Sequence, residues 1–554
     1  MHPILEKLRE TSASVKVGAL ETEESAASLS EFLESGVKLA SSHPKIEDVY
    51  YRAIRALMKC IVKSPSGAQM LIEGAVFIGC WLESTGTISA ETLSRFCPNA
   101  AQSSFLLFAD FKREDGLIPY KITDAGPAFR QVQMATPLAR SVWRHYRLNP
   151  DKTFLEKMYR AISENDKWLE TWRDTRKTGC VEAFCTFDTG HDASPRFWHV
   201  KDAPLDGDPA KCDPDSPILP FLAPDMTANV YCQRLYLAKM AEELGGSANA
   251  WREKAERTYE ALMKQCYDQK DHFFYDRDRL DRFVKIQSDI LIRVLACEVG
   301  DDAMFEDALR RYLLNTKKFF SRYPITTIAM DDPRFSQMIE YNSWSGQISF
   351  LTQLRLPIAF ELHRRYVELT WIMNPILTAL SRFENFAGGL SAWLGIEGYS
   401  SNYSPTMLCV LDYLERMCGI YPVSGNELWF TALAPAGMDY GEIIAEETAY
   451  SRIVKGRLFE LANEKDRSFV FRDGELMYEF PKGVRLVTDE TGRLKGLIGM
   501  SVRMVEGFVC FKGEEIPFSA SGNETLEYSA KGFASVDKPG VVPPNYGEMD
   551  ERAL

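Results

Sequence analysis

The chain has 554 residues, 45% hydrophobic and 26% charged, so it exceeds one average domain and can bury a substantial core. Its formal net charge of -13 argues against a nucleic-acid or anionic-membrane partner, because both are bound through basic patches. No apolar run could span a bilayer, and the first residues lack the basic end and apolar core of a signal peptide. The twelve cysteines have neither disulfide-scaffold nor zinc-ligand spacing, so we expect a reduced, cytoplasmic protein without a zinc site.

About the first three quarters of the sequence, up to residue 418, have a helical pattern. Residues 1–23 are polar and without clear periodicity, which predicts a weakly ordered N-terminal arm. Apolar residues then recur at helical spacing, mostly in paired segments separated by long loops rich in Gly, Pro, Asp and aromatic residues. The predicted helices cover residues 22–40, 46–62, 90–111, 134–147, 153–173, 226–244, 248–266, 287–299, 304–314, 349–369, 373–384 and 407–418.

After Pro422 the pattern changes to short alternating or apolar runs separated by turns. This pattern is typical of an antiparallel sheet or sandwich. The predicted strands cover residues 453–460, 468–471, 476–480, 484–487, 508–511 and 525–529. We place the boundary near Gly425, which predicts a helical domain over 24–424, a β domain over 425–545 and a loose tail over 546–554.

One loop has the composition of a carbohydrate site. Residues 184–198 read F-C-T-F-D-T-G-H-D-A-S-P-R-F-W, and place Asp188 and Asp192 four residues apart among aromatic rings. Gly190 and Pro195 argue against a regular helix, so the segment is expected to be an ordered loop. Asp and Ser beside Gly and Pro also form ordinary turns. Carboxylates and rings together nevertheless suit sugars, whose glycosidic bonds are cleaved by paired carboxyl groups.

The run T-G-H-D-A-S-P-R-F resembles the E-[ST]-G-x-D-[DN]-S-P-R segment of glycoside hydrolase family 63 and its mannosylglycerate-hydrolase-like and trehalase-like relatives. The resemblance implies a mainly α fold, the (α/α)6 toroid of the six-hairpin glycosidases, followed here by the smaller antiparallel β domain. It also implies that Asp192 is the general acid. Asp188 stands where the family usually has Glu, and Ala193 where it has Asp or Asn, which puts the sugar preference in question.

The relatives invert the anomeric configuration, and their general base is a Glu in patterns like F-x-E-x-Y-x-P-x-T-G. The run S-R-F-E-N-F-A-G-G-L is similar and implies that Glu384 is the base, with Trp393 nearby. From the residues alone, Glu384 is equally explained as a solvent-facing helix end. Glu397 and, less well supported, Glu340 are the rival bases.

Other runs imply sugar contacts through the same resemblance, which extends roughly over residues 70–435. One match is to the family's W-x-W-D-S segment, which the run I-G-C-W-L-E-S resembles. A second is to a strip whose Trp lines the sugar pocket, which Y-N-S-W-S-G-Q resembles. A third is to the segment after the base, which N-Y-S-P-T resembles. The implied substrate-binding residues are Trp81, Glu83, Gln133, Asp188, Arg196, Asn342, Trp344, Gln347, Trp393 and Tyr403. Arg196 either meets a carboxylate-bearing aglycone or pairs with Asp188.

These observations predict an exo-acting, inverting glycoside hydrolase for an α-linked gluco- or manno-type sugar. The substrate would be an oligosaccharide or a small glycoside, without a cofactor, since no dinucleotide, P-loop, zincin or nucleophile-elbow motif is present. Homo-oligomerisation and a calcium ion held by loop carboxylates are left open. The alternatives are a non-catalytic carbohydrate-binding protein and an (α/α)6 sugar epimerase or lyase.

Overall fold

The computed structural model describes residues 2–74, 76–130, 135–424, 426–433 and 445–547. The α-helices in these ranges are α1 Pro3–Glu10, α2 Ala13–Val17, α3 Glu23–Glu34, α4 Pro44–Lys59, α5 Ser89–Leu93, α6 Pro98–Asp110, α7 Leu138–Leu148, α8 Lys152–Trp172, α9 Pro224–Glu243, α10 Asn249–Cys266, α11 Ile290–Leu295, α12 Asp302–Ala308, α13 Phe350–Leu362, α14 Tyr366–Leu380 and α15 Ser404–Cys418. None of the helices in these ranges is both long and apolar enough to cross a membrane.

The long helices agree with the sequence pattern, and two boundaries differ. Helices α8, α9 and α10 lie within two residues of their predicted ends. The predicted helix over 90–111 is broken at Pro98, which begins α6 because proline fits the first turn of a helix and not its interior. The predicted break between 369 and 373 is wrong. The chain turns instead between α13 and α14, where Arg364 has a left-handed φ of 55°.

The prediction of a weakly ordered arm over residues 1–23 is also wrong. Most of this segment forms α1 and α2, and α1 buries Ile4, Leu5 and Leu8 against the C-terminal sheet beside Ala449 and Phe471. These three apolar residues cover barely more than one helical turn. The helix is therefore too short to show periodicity, although its apolar face is buried.

Short strands lie between the helices, and longer strands form the C-terminal region. The first fourteen are β1 Lys38–Ser41, β2 Ile61–Lys63, β3 Gln69–Leu71, β4 Cys80–Trp81, β5 Lys121–Thr123, β6 Gly126–Ala128, β7 Glu182–Ala183, β8 Phe221–Leu222, β9 Tyr267–Asp268, β10 Phe273–Phe274, β11 Asp276–Arg277, β12 Phe283–Val284, β13 Ile348–Ser349 and β14 Gly389–Leu390. The others are β15 Ile420–Pro422, β16 Leu428–Thr431, β17 Thr448–Val454, β18 Arg457–Asn463, β19 Arg467–Arg472, β20 Glu475–Pro481, β21 Val484–Thr488, β22 Leu494–Gly499, β23 Val505–Phe511, β24 Glu514–Ala520, β25 Thr525–Ser529 and β26 Gly532–Asp537.

Two antiparallel sheets form the C-terminal region, as the sequence pattern predicts. One has the order β1-β17-β18-β19-β20-β23-β24 and the other β15-β16-β21-β22-β25-β26. Ring contacts between Phe430 and Phe459 and between Phe518 and Phe533 join the two sheets. Strand β1 comes from the N-terminal part of the chain and pairs with β17, with Lys38 opposite Ser451. The sheet therefore includes a strand that the sequence pattern assigned to the helix over 22–40.

A buried group of ion pairs, here called the junction cluster, connects the helices to the C-terminal sheet. It consists of Arg95, Asp412, Glu415, Arg416 and Arg452. Arg95 pairs with Asp412 and donates to Glu415 Oε2 at 2.8 Å, while Arg416 donates to Asp412 Oδ2 at 2.9 Å. Arg452 on β17 pairs with Glu415 on α15. Each carboxylate of the cluster thus meets two guanidinium groups.

Candidate active site

Loops between the helices and short strands enclose a cavity of about 140 Å³, here called the central cavity. Loops around β3, β4, β13 and β14 contribute to it, as do the segments that follow β7 and precede α15. Its carboxyl groups belong to Glu73, Glu83 and Asp192. Its aromatic and amide side chains belong to Phe77, Trp81, Phe187, Trp344, Tyr399, Tyr403, Asn342 and Gln347.

Asp192 lies on the loop that follows β7, where Gly190 adopts a left-handed φ of 69°. Asn342 Nδ2 donates to Asp192 Oδ2 at 2.7 Å, and the backbone N–H of Trp344 donates to the backbone oxygen of Asp192 at 3.3 Å. Burial raises the pKa of Asp192 to about 7, and the negative charge of Glu83 adds to the effect. Asp192 therefore retains a proton closer to neutral pH than an ordinary aspartate does.

Glu83 follows β4 and faces two cations. Its Oε1 lies 3.1 Å from Arg293 Nη2 and 3.3 Å from Arg355 Nη2. Burial raises the pKa of Glu83, and the two guanidinium groups act against that rise. The two cations hold the Glu83 side chain in place in the cavity wall, where its charge acts on Asp192.

Glu73 lies just after the β2–β3 hairpin, and hydrogen bonds of both its backbone N–H and its backbone oxygen fix its position. The Glu73 N–H donates to the Gly79 oxygen at 3.0 Å, and the Ser404 N–H donates to the Glu73 oxygen at 2.8 Å. The Tyr403 hydroxyl donates to Glu73 Oε1. Burial raises the pKa of Glu73 to about 8, the Tyr403 hydrogen bond acts against this rise, and the charge of Glu83 adds to it. The cavity thus holds two carboxyl groups that titrate near neutral pH.

Several buried polar atoms of the cavity wall have no protein partner. Among the described residues, Trp81 Nε1, Trp344 Nε1 and Gln347 Oε1 accept or donate no hydrogen bond. Trp344 is held between the His191 ring, 4.8 Å away, and the Arg293 guanidinium, 4.9 Å from the ring centroid. An unsatisfied buried polar group costs about 1–3 kcal/mol. Hydroxyl groups of a bound sugar would satisfy these atoms.

The predicted sugar contact of Asp188 is contradicted by its position. Asp188 is fully buried in an ion pair with Arg173, accepts the Phe184 N–H at 2.7 Å, and is not part of the cavity wall. Its carboxylate stabilises the start of the loop, because the guanidinium and the amide neutralise and orient it. Asp188 is therefore a structural residue.

Arg196 also lies behind the cavity. It donates to Asp276 Oδ2 at 2.7 Å, Asp225 Oδ2 at 3.1 Å and His191 Nδ1 at 2.6 Å. Arg196 thus pairs with Asp276 and Asp225 and not with Asp188, and it is not part of the cavity wall. Two carboxylates from distant parts of the chain already match its charge.

The structure does not bring Glu384 to Asp192. Glu384 is exposed and absent from the cavity wall. The rival, Glu397, accepts backbone N–H groups of Glu384 at 3.0 Å, Asn385 at 3.0 Å and Ala387 at 3.3 Å. These hydrogen bonds to the Glu397 carboxylate hold the loop after α14 in place. Trp393, with 40% of its surface exposed, also lies outside the wall.

Of the other predicted contacts, the cavity wall contains Trp81, Glu83, Asn342, Trp344, Gln347 and Tyr403. Glu340, the weakest rival for the base, is exposed. Gln133 lies outside the described residues.

Sequence reasoning missed Glu73, Arg293 and Arg355. The signal for Glu73 was a single carboxylate in the otherwise apolar run M-L-I-E-G, which indicates a buried charge. The two arginines lie in helical segments, α11 and α13, and no local pattern distinguished them from solvent-facing residues. Within the described ranges, no group of three or more His, Cys, Asp or Glu side chains is arranged to hold a metal ion.

Part of the sequence resembles a known protein family. Residues 88–351 match the model of the mannosylglycerate hydrolase MGH1-like glycoside hydrolase domain. Over these residues the chain is similar to a glycoside hydrolase domain, which confirms the resemblance to family 63 and related six-hairpin glycosidases. No curated protein matches the sequence.

Solved structures are similar at low sequence identity. The family 63 mannosylglycerate hydrolase from Thermus thermophilus in complex with Tris is 14% identical, with a TM-score of 0.57 over 66% of this chain and 99% of that chain. An uncharacterized conserved protein from the same organism is 16% identical, with a TM-score of 0.55 and the same coverage of both chains. A sialidase is 15% identical, with a TM-score of 0.60 over 84% of this chain and 42% of that chain. These likenesses show the fold.

Proposed function

We propose that the protein is an exo-acting glycoside hydrolase that cleaves an α-linked gluco- or manno-type glycoside with inversion, and that Asp192 is the general acid. We further propose that the helices form an (α/α)6 toroid over residues 24–424, with the β domain over 425–545. The toroid and the sugar type are supported by the likeness to the mannosylglycerate hydrolase. A reducing, cytoplasmic location is supported by twelve free cysteines.

The observation that carries the proposal is the position and pKa of Asp192. It lines the central cavity, and its pKa, raised to about 7, keeps a large fraction of the carboxyl group protonated at neutral pH. A general acid must hold its proton until the glycosidic oxygen needs it, so its pKa should lie close to the working pH.

The cavity wall supports a sugar as the ligand. Trp81 and Trp344 offer unpartnered indole N–H groups for hydroxyls, and Trp81 adds partly exposed ring surface for apolar C–H groups. Glu83 and its two arginines supply strong acceptors and donors beside them. A volume of about 140 Å³ favours one terminal sugar over the middle of a polysaccharide chain, which supports exo cleavage.

The proposed reaction needs two proton transfers. Asp192 would donate its proton to the glycosidic oxygen as the C1–O bond breaks, while water attacks C1 from the opposite face. A second carboxyl group would accept a proton from that water. Because water enters from the face opposite the leaving group, the released sugar would have inverted anomeric configuration.

The test uses terminal α-glucosides and α-mannosides, including mannosylglycerate, with wild-type protein, Asp192→Asn and the control Glu340→Gln. We expect the wild type to release a β-configured sugar, seen by NMR during turnover. We expect Asp192→Asn to lower kcat by about 10²–10⁴-fold on unactivated glycosides. Glu340→Gln removes an exposed carboxylate and should have no effect.

Other outcomes would contradict the proposal. Retained anomeric configuration would exclude inversion, and full activity of Asp192→Asn would exclude its role as the acid. Binding of sugars by the wild type without any release would favour a non-catalytic carbohydrate-binding protein.

A further inference from the structure

We infer that Glu73, and not Glu384, is the general base that accepts the proton from the attacking water, and that Tyr403 is its positioning residue. This inference rests on the proposed hydrolase function and names a residue that the family resemblance did not indicate.

The central cavity restricts the choice of the second carboxyl group. Its described wall contains the carboxyl groups of Glu73, Glu83 and Asp192, whereas Glu384 is exposed outside it. With Asp192 as the proton donor, the base is Glu73 or Glu83.

The partners of these two glutamates decide between them. Glu83 lies within 3.3 Å of the guanidinium groups of both Arg293 and Arg355, and such pairing weakens a carboxylate as a proton acceptor. Glu73 instead accepts a hydrogen bond from the neutral Tyr403 hydroxyl. A carboxylate with a neutral partner keeps its affinity for a proton, so Glu73 is the better base.

Glu73 is also held rigidly, as a catalytic group must be. A Cβ on the next residue, Gly74, would lie 2.0 Å from the Asn402 carbonyl oxygen, so the close approach of these two loops requires glycine there. The Phe77 ring packs 5.7 Å from the Tyr403 ring and fixes its orientation. The loop that carries Glu73 and the loop that carries Tyr403 therefore form one unit.

Burial, which raises the pKa of Glu73 to about 8, increases the affinity of its carboxylate for a proton from water. The active form needs Glu73 ionised and Asp192 protonated. Because the pKa of Glu73 lies above that of Asp192, this form is a minority at every pH, and its population is greatest between pH 7 and 8. The acid limb of the activity profile then reports the lower pKa, that of Asp192, and the alkaline limb reports the higher one, that of Glu73.

The step balances with water as the co-reactant. The water oxygen forms a bond to C1 and passes one proton to the Glu73 carboxylate. The bond from C1 to the leaving oxygen breaks, and its electron pair takes the proton of Asp192. Exchange with solvent then removes the proton from Glu73 and returns one to Asp192.

The experiment compares Glu73→Gln, Asp192→Asn and Glu384→Gln on an unactivated α-glycoside and on the matching α-glycosyl fluoride, whose fluoride leaves without acid assistance. We expect Glu73→Gln to lower kcat by about 10²–10⁴-fold on both substrates with KM changed less than about fivefold. Asp192→Asn should recover most of its activity on the fluoride. Glu384→Gln should match the wild type, and thermal unfolding verifies that each variant folds.

Two further readouts separate a base from a structural residue. Azide, a nucleophile that needs no deprotonation, should restore turnover of Glu73→Gln on the fluoride and give the β-glycosyl azide. Tyr403→Phe removes a hydrogen bond that stabilises the Glu73 carboxylate, so the pKa of Glu73 should rise and the alkaline limb of the kcat/KM profile should move to higher pH.

The inference and the proposed function fail in different ways. An inactive wild type would overturn the function. An active wild type with an unimpaired Glu73→Gln would overturn the inference alone, as would inactivation by Glu384→Gln. Recovery on the fluoride by Glu73→Gln, with none by Asp192→Asn, would reverse the two roles and also overturn it.

Discussion

The central cavity and the junction cluster both bury carboxylates, and they differ in what faces those groups. In the junction cluster, Asp412 and Glu415 each meet two arginines. In the cavity, Asp192 and Glu73 accept hydrogen bonds from neutral groups, an amide and a phenol. Carboxyl groups that are buried to a similar extent thus lie in different electrostatic environments.

The pKa values follow this difference. Burial alone would raise the pKa of Asp412, but the guanidinium groups of Arg416 and Arg95 hold it below its ordinary value. Asp192 and Glu73 accept hydrogen bonds from neutral side chains instead, and burial raises their pKa values to about 7 and about 8. Charged partners therefore keep a buried carboxylate ionised and structural, whereas neutral partners leave it free to exchange protons near neutral pH.

The largest effect on stability should come from breaking the junction cluster. Arg95→Met leaves Asp412 and Glu415 buried with one cation fewer, so we expect the free energy of unfolding to fall by about 3–5 kcal/mol. Urea denaturation at pH 7 measures this loss. The control Arg113→Met removes a half-exposed pair with Asp115 and should cost at most about 1 kcal/mol. Equal losses in both variants would contradict the comparison.

A comparable effect, dependent on pH, should appear in the stability of the Glu73 variant. The folded-state pKa of Glu73 is raised from 4.5 to about 8, so the stability that its protonated form provides is complete below about pH 4.5 and is lost as the pH rises through 8. Glu73→Gln stays neutral throughout and lacks this loss. We expect it to gain stability relative to the wild type between pH 4.5 and 8, measured by urea denaturation across that range. Parallel curves for the two proteins would show that Glu73 is not perturbed.

The smallest effect should come from the hydrogen bond to Asp192. Asn342 donates to the Asp192 carboxylate and thereby lowers its pKa, acting against burial. Asn342→Ala should raise the pKa of Asp192 and so move the acid limb of the kcat/KM profile, which reports the lower pKa, to higher pH, while kcat at the optimum changes less than about tenfold. Tyr403→Phe is the matched control, because it should raise the pKa of Glu73 and move the alkaline limb instead. A shift of the same limb in both variants would show that the two carboxyl groups are not separated as proposed.

The sequence predicted those features that depend on neighbouring residues. The periodicity of α8 to α10 and the turns of the C-terminal strands are local, and so is the Gly- and Pro-containing loop that carries Asp192. Features that depend on distant partners were missed or misread. The structural role of Arg196 depends on its ion pair with Asp276, eighty residues away. Glu384 is exposed in a loop whose backbone N–H groups, including its own, donate to the Glu397 carboxylate. Glu73 enters the cavity because its backbone bonds to Ser404, a contact that no local pattern reveals.

The pairing of β1 with β17 also limits how the protein can be made and divided. About four hundred residues separate these strands, so the first strand to leave the ribosome must wait for most of the chain before it finds its partner. A recombinant fragment that begins after Ser41 would leave the backbone groups of β17 unpaired at the rim of the sheet, where another chain could add to them. The helical part and the C-terminal sheets are therefore best expressed together.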